Sequence, residues 1–199
     1  MTTENTVASL LEPWKRFGYP TYAQFDNSTV FTGPRPPNSI GHVIRLCLSL
    51  GVTPIFVPPH ETGFQAGIER YNGLWQQGVW ERFHFKNYQQ LKEQSKKYVD
   101  AFRDKKWSSI RSAPNRYEVP NDFIFCCDHP LKGKIIFIRR TDNQGNTNVL
   151  GNTWNIDSLW TNRLIRVEII LTKHLVKFYR LRRRDPKDQP LIKTKKYKL

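Results

Sequence analysis

The stretch QFDNSTVF, residues 24–31, places a carboxylate where an apolar strand opens into a loop. Phe25 suits the end of a buried strand, and Asp26, Asn27 and Ser28 are turn formers. The residues beside Asp26 are uncharged, so no local cation explains the carboxylate. Two interpretations stay open: Asp26 is a ligand for a metal ion, or its side chain accepts a backbone hydrogen bond in an Asx turn.

A second carboxylate, Glu69, is the only charged residue in a stripe along a predicted helix. The members of the stripe recur at i, i+4, i+7 and i+11, and they are Gln65, Glu69, Asn72 and Gln76. No Lys or Arg lies three or four residues from Glu69, so no pair within the helix neutralises it. We expect either a tertiary ion pair or a metal ion to meet this side chain.

Convergence of these two carboxylates would make a site of hard oxygen donors. In open α/β sheets, sites assemble at the carboxyl ends of the strands, which is where Asp26 is predicted to lie. Carboxylate oxygens suit Mg²⁺ or Mn²⁺. A pair of such ions can activate a water or hydroxyl group and stabilise the leaving oxygen in phosphodiester chemistry.

Strands and helices alternate through residues 4–106, which indicates an α/β layered unit. Apolar residues at 3/4 spacing predict helices over 4–17, 39–50, 63–80 and 87–106. Asn38 is the predicted cap of the second helix. Short strands are predicted over 21–25 and 52–57, and the prolines of TGPRPP exclude regular structure over 32–37. Two strands alone do not make a stable sheet.

The hydrophobic period changes to two beyond the polar stretch 107–122. Four short strands are predicted there, and they are KIIFIRR, NVLGNTWNI, RLIRVEIIL and HLVKFYRLRRR. The segment TDNQGNTN has the residue types of a hairpin turn. Closely spaced strands of this kind predict a small all-β barrel after the α/β unit.

Basic residues are concentrated in the last third of the chain. The formal net charge is +15, and residues 131–199 hold 17 of the 32 Lys and Arg but only 5 of the 17 Asp and Glu. Such a field attracts polyanions, of which nucleic acid is the commonest. No recognition-helix motif is visible, so reading of a base sequence is not expected. The alternative is a solvated basic tail, above all over 185–199.

The chain contains an odd number of cysteines, and two of the three are adjacent: Cys47, Cys126 and Cys127. This pattern is typical of a reduced cytoplasmic chain and not of a disulfide framework. The run from Cys126 to His129 is a weak zinc candidate, because no second ligand pair at zinc-finger spacing accompanies it. The N-terminus lacks the basic region of a signal peptide. No apolar run approaches the ~20 residues of a membrane span.

QFDNSTVFTG and GVTPIFVPPHETGFQAGIERYNGLW together resemble the second half of the catalytic core of the DDE transposases and retroviral-type integrases. The matching residues are Asp26-Asn27, Phe31, Gly33, Gly51-Val52, Pro54, Pro58-Pro59, Gly67, Ile68-Glu69 and Asn72. Their order, their types and the 43-residue step from Asp26 to Glu69 carry the resemblance over about residues 4–106. It implies a partial ribonuclease H-like (integrase catalytic core) fold. The linker and small barrel that follow are similar to those of bacterial insertion-sequence transposases.

The resemblance implies that Asp26 and Glu69 are catalytic residues and metal ligands, with Mg²⁺ or Mn²⁺ as the cofactor. It assigns Asn72 to a position beside the DNA. The basic residues expected to contact DNA are Arg139, Arg140, Arg163, Arg166, Arg182, Arg183 and Arg184.

The family pattern also requires a third carboxylate, on the first strand of the sheet. The only acids before Asp26 are Glu4 and Glu12, and both fall in the first predicted helix. Two of three ligands imply weak metal binding and a chain that is inactive alone, because such residues act as a unit. A truncated sheet also exposes an edge and an apolar face, which favours self-association.

The predicted organisation is a truncated integrase-type core (1–106), a linker (107–130), a small β-barrel DNA-binding module (131–184) and a basic tail (185–199). The chain is predicted to be a C-terminal portion of a mobile-element transposase, a class of enzyme that integrates DNA with Mg²⁺. It is expected to associate with the nucleoid. One alternative is a non-catalytic DNA-binding or regulatory partner of a full-length transposase. A ribosomal or RNA-binding protein is the other. No membrane partner is expected.

Overall fold

The computed structural model describes residues 3–33, 39–58, 61, 63–114, 116–182, 185 and 187–197. The chain is a mixed α/β protein that forms two compact units. The first unit joins residues 1–60 to residues 116–199, and the second is residues 61–115. The strands, all in the first unit, are β1 Tyr22–Phe25, β2 Thr53–Phe56, β3 Lys134–Arg140, β4 Asn146–Val149, β5 Asn152–Asn155, β6 Leu164–Ile170, β7 Leu175–Arg180 and β8 Leu191–Lys196.

A six-stranded mixed sheet forms the centre of the first unit, with strand order β1-β2-β3-β6-β7-β8. β1, β2 and β3 run parallel, and each later pair of neighbours is antiparallel. β4 and β5 form a separate two-stranded sheet. Three parallel strands therefore end at one edge of the larger sheet, which is the geometry that assembles sites in α/β proteins.

Three of the four strands expected to close into a separate barrel, β3, β6 and β7, lie in the six-stranded sheet. β3 pairs directly with β2, with Phe137 opposite Phe56. The rings of these two residues stack with centroids 4.9 Å apart, an apolar contact that a separate barrel would lose. No closed barrel forms among the described residues, because β1 and β8 stand at opposite ends of the strand order. The expectation of a closed barrel is therefore corrected to an extension of the α/β sheet.

Two further strand predictions differ from the structure. NVLGNTWNI turns at Leu150 and Gly151, which both have positive φ (48° and 76°), so it forms the β4–β5 hairpin instead of one strand. Leu191–Lys196, inside the predicted tail, forms β8 against β7. Lysines stand on both sides of β8, at Lys193 and Lys196, and they conceal the alternation that predicts a strand.

Helices cover the apolar side of the sheet in the first unit. They are α1 Thr3–Phe17, the single turn α2 Thr29–Thr32 and α3 His42–Ser49. α1 agrees with the predicted helix over 4–17. α3 begins at His42 with Gly41 as its N-cap, later than predicted, and Asn38 lies outside the described residues. One hydrophobic cluster joins the two longer helices to the sheet, and it includes Val7, Trp14, Val43, Ile44, Leu46, Phe56, Phe137, Val167 and Phe178.

The second unit is helical and contains α4 Ala66–Trp75, a π-helix Gln76–Trp80, α5 Tyr88–Lys105 and α6 Trp107–Arg111. The predicted helix over 63–80 is thus divided, and α6 occupies the start of the predicted linker. No residue of α4 is buried, and the side chain of Ile68 is 56% exposed. The ring of Tyr71 contacts that of Phe102, with centroids 5.1 Å apart. Across both units, the described helices include none that is long and apolar enough to cross a membrane.

Candidate functional site

Asp26 lies at the edge where the three parallel strands end. The register pairs Phe25 with Phe56 and Phe56 with Phe137. The residues that follow in each strand, beginning with Asp26 after β1 and Val57 after β2, therefore come to one edge of the sheet. The predicted position of Asp26 at the carboxyl end of a strand is confirmed.

The side chain of Asp26 is exposed and shapes the turn after β1. Its Oδ1 accepts a hydrogen bond from the Ser28 backbone N–H at 2.7 Å, which is the Asx turn considered above. Ser28 Oγ in turn accepts from the Val30 N–H at 3.4 Å and caps α2, so the chain turns into a helix where Val30 and Phe31 resume the apolar pattern. Among the described residues, no cation forms an ion pair with Asp26.

Arg139 joins the ends of these three strands. Its guanidinium donates to Asn27 Oδ1, to the Ile138 carbonyl at 2.9 Å and to the Val57 carbonyl at 3.4 Å. The Asn27 amide also donates to the Val57 carbonyl. The Arg139 Cζ lies 4.8 Å from the centre of the Phe137 ring, and burial lowers the pKa of Arg139 to about 10. Arg139, predicted to contact DNA, is thus a half-buried residue beside the Asp26-Asn27 turn.

Glu69 and Asn72 lie on α4 in the second unit, and both are exposed. Within the described part of the chain, the Glu69 carboxylate has neither an ion pair nor a side-chain hydrogen bond, so the tertiary ion pair considered above does not form there. Asp26 belongs to the first unit and Glu69 to the second. The convergence of their carboxylates therefore stays a prediction.

The fit of a metal ion rests on the type of donor. Asp26 and Glu69 offer exposed carboxylate oxygens, which Mg²⁺ and Mn²⁺ prefer. The described ranges contain no group of three or more His, Cys, Asp and Glu that could hold a metal ion. At the zinc candidate, Cys126 Sγ lies 4.0 Å from Asp128 Oδ2 and accepts from the Asp128 N–H, which is a local turn contact.

Two grooves flank the helix that carries Glu69. One has a volume of about 510 Å³ and is lined by aromatic and basic side chains, among them Arg70, Tyr71, Tyr98, Phe102, Lys105 and Lys106. The other has a volume of about 470 Å³ and is lined by Asn72, Trp75, Gln76 and Trp80. Desolvation raises the pKa of Tyr71 above its ordinary value. Asn72 and Gln76 of the predicted polar stripe thus line a groove on their own unit.

One face of the sheet carries a row of basic side chains. Strand alternation places these residues opposite the face of Phe137 and Phe178, and they are Lys134, Arg140, Arg166, Lys177 and Lys196. Glu168 is the one acid that the described strands place there, and its Oε1 lies 3.5 Å from both Lys134 Nζ and Arg166 Nε. Arg140 and Arg166, predicted to contact DNA, therefore share one basic face.

The other predicted DNA-contacting arginines are separated. The Arg163 Cζ lies 4.7 Å from the centre of the Trp160 ring, and the Arg180 Cζ lies at the same distance from it. Arg182 forms an ion pair with Asp188. Arg183 and Arg184 lie outside the described residues. Trp160 and Arg180 were missed by the sequence analysis, because a loop and the end of a later strand meet only in the folded chain.

Comparison with known proteins gives no further assignment to these residues. No protein-family model matches this sequence, and no curated protein matches it. The function is therefore argued from the strand-end turn, the exposed helix carboxylate and the basic surfaces described above.

Proposed function

We propose that this chain is a DNA-binding protein of the DDE transposase or integrase type, with part of a ribonuclease H-like core. The observation that carries the proposal is the position of Asp26, at the edge where three parallel strands end. Glu69 is the proposed second ligand, since it is exposed on α4. A weakly bound Mg²⁺ or Mn²⁺ would supply activation of a hydroxyl group and stabilisation of a leaving oxygen in phosphodiester chemistry.

The protein's own groups have distinct parts in this proposal. Asn27 and Arg139 hold the strand ends, and they fix the turn that presents Asp26. The basic sheet face neutralises phosphates of bound DNA, and each phosphate contact adds about 0.9 to the salt slope of binding. Asn72 is proposed to lie beside the DNA.

We expect no strand transfer by this chain on its own. The carboxylates before Asp26 are Glu4 and Glu12, and both are exposed on α1 instead of lying on a strand. With two of three family ligands, the reaction should fall by orders of magnitude, because such residues act as a unit. Strand transfer or Mg²⁺-dependent nicking by the purified chain would contradict this expectation.

The second candidate function is a non-catalytic DNA-binding or regulatory partner of a full-length transposase. The basic face of the sheet favours it, because phosphate contacts by Lys134, Arg140 and Lys177 need no metal ion. Both candidates bind DNA, so affinity alone does not separate them.

Binding of a short labelled DNA duplex, with and without Mn²⁺, separates the two candidates. The first predicts that Mn²⁺ tightens binding, and that Asp26→Asn and Glu69→Gln remove this increase but keep the metal-free affinity. Glu12→Gln, an exposed carboxylate on α1, is the matched control and should keep the increase. No effect of Mn²⁺ on the unmutated protein would leave the second candidate. Failure to bind DNA would contradict both.

A further inference from the structure

We propose that Trp160, Arg163 and Arg180 form a phosphate-binding cluster that holds the backbone of DNA. This set of residues is called the Trp160 cluster below. The inference rests on the proposed function only in its choice of DNA as the source of the phosphate. It adds two residues, Trp160 and Arg180, to those that the sequence predicts.

The cluster brings two cations to one aromatic ring. Arg163 immediately precedes β6 and Arg180 ends β7, and the register places Arg180 opposite Ile165. The Cζ atoms of both arginines lie 4.7 Å from the centre of the Trp160 ring. At this distance a guanidinium is attracted by the face of an indole. The ring thus gathers two side chains of like charge at one end of the sheet.

Their charge is not neutralised within the described chain. Neither Arg163 nor Arg180 has a carboxylate within ion-pair distance there, and the acids near Trp160 in sequence are committed to turns. Asp157 accepts from the Leu159 N–H at 2.9 Å. Asp142 accepts from the backbone N–H groups of Gln144 and Asn146, which lower its pKa. Two unneutralised guanidinium groups repel each other, and a bound anion relieves that repulsion.

The contact with Trp160 leaves the hydrogen-bond donors of the arginines available. A guanidinium that stacks on an aromatic ring uses its face, and its N–H groups then point outward in the plane. No guanidinium N–H of Arg163 or Arg180 donates to another described residue. A planar fork of this kind matches two oxygens of a phosphate. The chemistry of the cluster therefore selects an oxyanion with more than one acceptor.

The loop that carries Trp160 is hydrogen-bonded to Thr141, which is 1% exposed. Thr141 Oγ1 donates to the Trp160 carbonyl at 2.6 Å and accepts from the Arg163 N–H at 3.1 Å. The Thr141 N–H donates to the Arg163 carbonyl at 3.0 Å. The backbone at Trp160 and Arg163 is therefore held in place before an anion arrives, which lowers the entropic cost of binding.

The Trp160 indole indicates that the cluster has a role beyond packing. Its Nε1 is buried, and no described residue accepts its hydrogen bond. A buried donor without an acceptor is unfavourable, and a phenylalanine or leucine would avoid that cost. The indole is, however, the aromatic ring that attracts cations best. We infer that Trp160 is present to hold the two arginines.

The salt dependence of binding to a short labelled duplex tests the cluster. Arg163→Gln and Arg180→Gln should each lower the slope of log K against log salt by about 0.9, and the double variant by about twice that. Lys173→Gln removes an exposed cation from the turn after β6 and is the matched control. It should leave the slope near that of the unmutated protein. Glutamine variants that behave like Lys173→Gln would overturn the proposal.

Lysine variants separate the cluster from a general basic surface. Arg163→Lys and Arg180→Lys keep the charge but lose the planar fork. We expect them to keep the salt slope and to weaken binding several-fold. These variants also serve if a glutamine variant fails to fold. Full affinity in the double lysine variant would overturn the proposal, because charge alone would then account for binding.

Fluorine NMR of protein labelled with 5-fluorotryptophan tests the cluster independently of DNA. Trp160→Phe assigns the Trp160 resonance, and inorganic phosphate is the probe. The resonance should shift with phosphate in the unmutated protein and stay fixed in Arg163→Gln/Arg180→Gln. If duplex DNA does not bind but this shift occurs, the proposed function fails and the anion site stands. A resonance that phosphate does not move would contradict the cluster itself.

Discussion

At the scale of single residues, Arg139, which is predicted to contact DNA, also bonds to the ends of three strands. Its guanidinium satisfies oxygens of Asn27, Val57 and Ile138, which belong to three different strand ends. Removing it would take away the donor to Asn27 Oδ1 and one of the two donors to the Val57 carbonyl, both in part-buried surroundings. Arg139 is therefore expected to stabilise the turn that presents Asp26, whether or not DNA is bound.

Arg139→Met should lower the free energy of unfolding by about 1–3 kcal/mol, which is the usual cost of leaving buried polar groups unpaired. Arg182→Met is the control, because the Arg182 guanidinium forms an exposed ion pair with Asp188, and such pairs contribute about 0–1 kcal/mol. Urea unfolding followed by circular dichroism measures both. Equal stability of Arg139→Met and the unmutated protein would show that the guanidinium does not hold the strand ends.

The three cysteines should differ in reactivity. Cys47 is fully buried, and burial raises the pKa of its thiol from 9.0 to about 12, whereas Cys126 and Cys127 are half-buried. Iodoacetamide at mildly alkaline pH should modify Cys126 and Cys127 in the native protein, and also Cys47 in urea. Mass spectrometry of peptides measures this. Native modification of Cys47 at the same rate would contradict its burial.

The same shift predicts a pH dependence. Between pH 9 and 12 the folded chain keeps a proton on Cys47 that the unfolded chain releases. The protonated Cys47 thiol therefore contributes to the free energy of unfolding in full below pH 9. This contribution is lost as the pH rises toward 12. Cys47→Ala should reduce this alkaline loss of stability.

The site was predictable only where its signal is local in sequence. The position of Asp26 at a strand end, and the lack of a Lys or Arg three or four residues from Glu69, follow from the types of their sequence neighbours. Two features depend on which strands pair: the bond between Arg139 and Asn27, and the Trp160 cluster. The spacing of residues in the sequence does not predict strand pairing. The proposed convergence of Asp26 and Glu69 spans 43 residues of sequence, so no local pattern predicts it either.

At the scale of elements, the close approach of Gly33 and Gly41 sets the start of α3. The Gly41 N–H donates to the Thr32 carbonyl at 3.1 Å. A Cβ on Gly41 would lie 2.6 Å from both Cα and N of Gly33, which is too close for backbone atoms to tolerate. α3 therefore packs beside α2 because both positions lack a side chain.

Gly41→Ala should lower the free energy of unfolding by at least about 1–3 kcal/mol, the cost of an overpacked contact. Gly73→Ala is the control, because a Cβ there meets nothing within 4 Å on α4, and it should stabilise by about 0.4–1 kcal/mol. Thermal and urea unfolding measure both signs. A neutral Gly41→Ala would contradict the close approach.

The elements themselves were largely predictable, but their pairing was not. α1, β1, β2, α5, β3, β6 and β7 follow from periods of 3.6 or 2, which the sequence displays directly. The π-helix at Gln76–Trp80 and the start of α3 at Gly41 depend on tertiary contacts. β8 was not predicted, because lysines on both of its sides break the alternation of polar and apolar residues. The barrel expectation failed because β3 pairs in parallel with β2, and the Phe137 ring stacks on that of Phe56.

At the scale of the whole molecule, the sheet joins residues 1–60 and 116–199 in one compact unit. A fragment of residues 131–199 lacks β1, β2, α1 and α3. Its strand β3 would keep an unpaired edge, and Phe137 would lose the stacked ring of Phe56. We therefore predict that this fragment does not fold as an independent domain.

The ¹H–¹⁵N spectrum of the 131–199 fragment measures this prediction. Narrow dispersion or aggregation is expected, while the full chain gives dispersed signals. A dispersed spectrum, with cooperative unfolding of the fragment, would show that these residues form a separate module after all.

We propose above that Asp26 and Glu69 together bind one divalent cation. Mn²⁺ titrations of the unmutated protein, Asp26→Asn, Glu69→Gln and the double variant, followed by electron paramagnetic resonance, test it most directly. Each single substitution should weaken Mn²⁺ binding at least about tenfold, and the double variant should be little weaker than either, because the two ligands act as a unit. Unmutated protein that binds Mn²⁺ no better than the double variant would contradict the claim.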